Sequence, residues 1–81
     1  MHIEHESERF AWYYDSRMGV GRFVRKSDDA LTYLETGTDC QDVRRSLRRL
    51  EQKTSSPRYP KAAPSFADIF DCIATEYEFH N

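Results

Sequence analysis

No apolar run in this 81-residue chain approaches the ~20 residues that a membrane-spanning helix needs. Its opening residues, His2-Ile3-Glu4-His5-Glu6, are polar and acidic, unlike the apolar core of a secretory signal. The two cysteines, Cys40 and Cys72, lie far apart and form no Cys-x-x-Cys pair. Both are expected to be reduced thiols at positions open to burial, with Cys40 inert, and the protein is expected in the cytoplasm. Gly19-Val20-Gly21 lacks the further glycine and the lysine of a phosphate loop, and no Gly-x-Ser-x-Gly is present. No family motif can be quoted from these residues.

What is present is polar but aromatic. Hydrophobic residues make up 38% of the chain and charged residues 32%. One tryptophan, five tyrosines and five phenylalanines nevertheless argue for a packed core, because large rings bury much area per residue. A net charge of −2 conceals segregation. Residues 1–40 and 62–81 are acidic, whereas 41–61 carry seven basic side chains against two acidic ones. Such blocks either steer a partner or attract one another within the monomer.

Phe10, Trp12 and Tyr14 alternate with Arg9, Ala11 and Tyr13, the period of a strand. Asp15-Ser16-Arg17-Met18-Gly19 reads as a turn and Val20 to Arg25 as the returning strand, with Gly21 marking a bulge or a close approach. Residues 1–8 read as a tail or a short edge strand. Ser27-Asp28-Asp29 resembles a helix cap and Gly37 a helix stop, so a short helix is expected between them. The alternative is a third strand, Leu31 to Leu34. Cys40, Val43, Leu47 and Leu50 form one face of a helix through about Lys53. The three prolines place a loop at 54–64. Ser65 and Asp68 then form a capping box before the apolar stripe Phe66, Ile69, Phe70, Ile73 and Tyr77. The expected fold is a small α+β single domain over 1–81. An N-terminal antiparallel β-hairpin, or three strands, packs on two or three helices.

Three surfaces stand out as candidate partner-binding sites. Arg44, Arg45, Arg48 and Arg49 fan over the side of their helix opposite the apolar stripe, where guanidinium groups can fork to carboxylate or phosphate. Lys53, Arg58 and Lys61 extend them, and Tyr59 could stack on a base. Asp68 and Asp71, with Glu76 and Glu78, give the last helix an acidic exterior. Tyr13, opposite in face to its aromatic neighbours, and Arg22 or Arg25 suit an aromatic–arginine contact surface. His2, His5 and His80 supply too few converging ligands for a metal, so no metal, cofactor or catalytic residue is expected.

These residues point to a non-catalytic protein–protein interaction module whose partner is a larger protein or nucleoprotein complex, with no membrane. One concrete form is a small phage or mobile-element inhibitor that blocks a host nucleic-acid-binding complex, an anti-CRISPR-like role. The alternatives are a small nucleic-acid-binding regulator using the Arg44–Arg49 helix and an accessory subunit of a larger enzyme. A homodimer is compatible with each.

Overall fold

The computed structural model describes residues 2–60 and 63–79, and for 32–36 and 79 the backbone alone. Lys61 and His80 fall outside the described residues. Four strands, β1 (His2–Glu6), β2 (Phe10–Asp15), β3 (Val20–Arg25) and β4 (Ala30–Thr36), are followed by α1 (Gly37–Thr54) and α2 (Phe66–Phe79). The strands form one antiparallel sheet in the order β1-β2-β3-β4. The α+β class and the central hairpin are as expected, and the hairpin is extended by a strand on each side.

Each turn has a local cause. Between β2 and β3, Asp15 Oδ1 accepts the amides of Arg17 (3.0 Å) and Met18 (3.4 Å), and Gly19 takes φ +64°. Between β1 and β2, Ser7 Oγ accepts the amides of Phe10 (3.1 Å) and Arg9 (3.3 Å) and donates to Asp71, tying the turn to α2.

Residues 30–36 correct the sequence reading, because they are strand rather than helix. Ser27-Asp28-Asp29 is the turn of a β-hairpin. Asp29 adopts φ +55°, and Asp28 Oδ1 accepts the amide of Ala30 at 3.2 Å. Arg25, at the end of β3, forks onto the same carboxylate at 3.0 and 2.7 Å. Gly37, at φ +59°, redirects the chain from β4 into α1.

Both helices cover the same face of the sheet. Phe10, Trp12 and Phe23 from the sheet meet Cys40 and Leu47 of α1 and Phe70 and Ala74 of α2, all essentially inaccessible to water. Burying a side chain such as Phe23 or Leu47 stabilises the fold by about 1.5–3 kcal/mol. Phe23 stacks on Tyr77 with centroids 5.0 Å apart and leans on Trp12 at 4.8 Å. Val43, Phe66 and Ile73 pack against this cluster. Cys40 is buried as expected, whereas Cys72 is exposed on the outer side of α2. Position 72 falls on the outer side of a helix whose inner side carries Phe70 and Ala74.

Candidate functional site

The structure divides the expected site residues between two opposite sides of the sheet. The four arginines belong to α1, on the covered side. Tyr13 and Arg22 point to the side that carries no helix, since their neighbours Trp12 and Phe23 enter the core and side chains alternate along a strand.

Within the arginine set, Arg44 behaves differently from the others. Its Nε and Nη2 donate to Glu4 Oε1 (2.9 Å) and Oε2 (2.6 Å), a bidentate fork. Its guanidinium carbon lies 3.6 Å from the centroid of the Tyr14 ring. Gln41 completes the cluster, donating to the Tyr14 hydroxyl at 2.9 Å and accepting from Arg44 at 3.3 Å. The hydrogen bonds from Arg44 hold the Glu4 carboxyl below the usual glutamate range. Arg44 therefore fastens α1 to the edge strand β1, which corrects the expectation that it is exposed with its neighbours.

Arg45, Arg48 and Arg49 are exposed. Arg45 approaches Asp42 at 3.5 Å, both side chains largely in water. Among the described residues, Arg48 and Arg49 have no ion-pair partner within 4.0 Å. Arg45, Arg49 and Lys53 are spaced by four, so they form one row along the helix. Gln41, Arg44, Arg45 and Arg48 line a shallow depression of about 100 Å³.

The acidic exterior of α2 is largely engaged within the molecule. Ser65 N donates to Asp68 Oδ2 and Asp68 N donates to Ser65 Oγ, each at 3.3 Å, which is the expected capping box. Asp71 receives the Ser7 hydroxyl, and Glu78 receives Arg25 Nη1 at 2.7 Å. His5, buried against Phe66, lies 3.2 Å from Glu51 Oε2. Tyr59 spends its hydroxyl on the Pro64 carbonyl at 2.9 Å, closing the proline loop. The oppositely charged blocks of the sequence thus meet inside the monomer at Arg44–Glu4, while Arg25–Glu78 ties the two acidic blocks together. On α1 these contacts leave Arg48, Arg49 and Lys53 without an ion pair among the described residues.

On the helix-free side, sequence reasoning found Tyr13 and Arg22 and missed Ile3, Val24 and Leu31. Ile3 pairs with Tyr13, which pairs with Arg22; Ala11 pairs with Val24, which pairs with Leu31. Ile3 is 41% exposed and Leu31 52%, so apolar surface flanks the arginine. Only a four-stranded pairing reveals this set.

Comparison with known proteins finds no matching family model, no matching curated protein and no matching solved structure. No helix among the described residues is long and apolar enough to cross a membrane. Among those residues no group of three or more metal-ligating side chains converges.

Proposed function

We propose that this domain is a non-catalytic protein-binding module that docks the outer row of α1 onto an acidic protein surface. The observation that carries this reading is the cationic row Arg45, Arg49 and Lys53, with Arg48 beside it, in which Arg45 alone has an ion-pair partner among the described residues, Asp42 at 3.5 Å. Like charges at i, i+4 destabilise a helix by about 0.2–0.5 kcal/mol per pair. The helix dipole favours Lys53 in the last turn but not Arg45 several turns earlier, whereas an acidic partner gains steering and orientation from the whole cationic row. Arg44, neutralised by Glu4, sets the position of the helix beneath that row. An inhibitor seated on a larger complex and an accessory subunit are two forms of this module, differing only in partner. A reading in which the acidic exterior of α2 offers its carboxylates to a basic groove draws less support, since Asp71 and Glu78 already have partners within the chain.

The test compares the wild type with the double variant Arg48→Glu, Arg49→Glu as bait in the native host lysate, read by mass spectrometry. A protein retained by the wild type and lost by the variant supports the reading. Equal retention by both removes α1 from consideration. A parallel titration with duplex and single-stranded oligonucleotides covers the regulator alternative. Tight binding at physiological salt that weakens steeply as salt rises replaces a protein partner with a nucleic acid.

A further inference from the structure

The helix-free face of the sheet has a composition of its own. Arg22 sits on β3, a central strand, and is half-buried. Its Nε is buried and makes no hydrogen bond, and no described carboxylate lies within ion-pairing distance of it. Arg25, three residues along, contrasts with it by holding both Asp28 and Glu78. The acids near this face have other roles: Glu6 pairs with Lys26 at 2.7 Å, and Asp15 accepts the turn amides. A buried donor left without an acceptor destabilises the fold, because its hydration is lost and not replaced. A ligand oxygen would offset that cost.

The surroundings of Arg22 specify the rest of the ligand. Tyr13 lies directly across from it on β2, and Ile3, Val24 and Leu31 supply apolar surface on β1, β3 and β4. Tyrosine and arginine are enriched where binding energy concentrates. Strands ~4.8 Å apart with a rise of ~3.3 Å per residue make this face roughly 15–20 Å on each side. That is well short of the ~800 Å² that each partner contributes to a standard interface, so it suits a segment rather than a whole domain.

We propose that this face binds a short acidic–apolar segment of another protein, its carboxylate received by Arg22 and its apolar side chains by Ile3, Tyr13, Val24 and Leu31. A second copy is a poor occupant, because a two-fold contact centred here sets Arg22 against Arg22. A nucleic acid fits less well, because a phosphate chain needs a track of cations and this face centres on one. The inference is independent of the α1 reading, which concerns the opposite side of the sheet.

The test uses ¹⁵N-labelled protein and two synthetic twelve-residue peptide pools. Both carry Leu, Ile, Val and Phe around a central position, which is Asp or Glu in one pool and Asn or Gln in the other. The Arg22 Nε–H resonance reports on the buried donor directly. The acidic pool should shift that resonance together with the amides of Ile3, Tyr13, Val24 and Leu31, at least tenfold more tightly than the amide pool, and leave α1 unmoved. Arg22→Met should melt at or above the wild-type temperature while losing the acidic pool by at least tenfold. Equal response to both pools, no response at millimolar peptide, or a lowered melting temperature for Arg22→Met would overturn the proposal. So would a shift produced by a single-stranded oligonucleotide but not by the acidic pool.

Discussion

The indole of Trp12 occupies the space that a Cβ on Gly21 would need. Trp12 pairs with Phe23 and Gly21 with Tyr14, so the two are diagonal neighbours on the covered face of the sheet. A methyl group at position 21 would collide with the six-membered ring of the indole and come within 3.0 Å of Cys40 Sγ. Neither neighbour can retreat, since both are fully buried. Gly21→Ala should therefore cost about 1–3 kcal/mol, as overpacking of a close-packed core does. The chain has a single tryptophan, so its fluorescence during urea unfolding measures this cost and reports a moved indole.

The Glu4–Arg44 fork gives stability a defined pH dependence. Glu4 has its pKa lowered from 4.5 in the folded state, chiefly by hydrogen bonds from Arg44. A depressed carboxyl group contributes stability that is fully present above its unfolded value and is lost as pH falls through the folded value. Unfolding free energy should therefore fall as pH drops below the ordinary glutamate range. Glu4→Gln should flatten that part of the profile and cost about 1–2 kcal/mol at neutral pH, through loss of charged hydrogen bonds. Urea melts at half-unit pH steps check both effects. A profile unchanged by the substitution would show that other carboxylates dominate.

Reversing one charge on α1 should separate stability from binding. Arg49→Glu places an acid four residues after Arg45 and four before Lys53. Each new i, i+4 pair is worth about 0.2–0.5 kcal/mol. The variant should be slightly more stable than the wild type yet bind its partner more weakly. Thermal melts and affinity measured on the same preparation distinguish this outcome from a helix that merely tolerates the change.

How much of this was legible in the sequence depends on the range of the interaction involved. The stripe Cys40, Val43, Leu47 and Leu50 and the Ser65–Asp68 capping box are local patterns, and they gave α1 and α2 directly. Residues 27–36 read as a helix from local signals because small polar residues serve equally as helix caps and as hairpin turns. Pairing of Arg25 with Ala30 and Val24 with Leu31 decides the matter, and that is tertiary information. Arg44 reads as exposed from its helix position alone because its partner Glu4 lies forty residues away. On the helix-free face, Tyr13 followed from alternation. Ile3 did not, because a register shift between Ile3 and His5 breaks the simple period of β1.

The β3–β4 turn offers a test of that corrected assignment. Asp29 holds φ +55°, a conformation that carries a penalty for residues with a Cβ and none for glycine. Asp29→Gly should be neutral or stabilise the hairpin by up to about 1 kcal/mol, offset in part by the greater freedom of glycine in the unfolded chain. Asp29→Val should destabilise it by more than that, since β-branching is worst in this region. A helix across 28–36 would respond in the opposite order, because glycine inside a helix costs about 1 kcal/mol relative to alanine. Comparing the two melting temperatures therefore reports on the secondary structure of the segment as well as on its stability.

The two thiols should differ sharply in access. Cys40 is buried beneath Trp12 and Gly21, whereas Cys72 is exposed on α2 beside Ala63, Pro64, Asp68 and Ile69. A thiol reagent can reach Cys40 only when the core opens, so its labelling rate follows the opening equilibrium. With excess reagent and no denaturant, one thiol should react at once and the second slowly; in 6 M guanidinium both should react at once. Cys72→Ser should remove the fast phase alone, and Gly21→Ala should accelerate the slow one by loosening the packing over Cys40. Two equally fast thiols in native buffer would show that the Trp12–Gly21–Cys40 contact does not protect the sulfur, and would remove the basis for the cost assigned to Gly21→Ala.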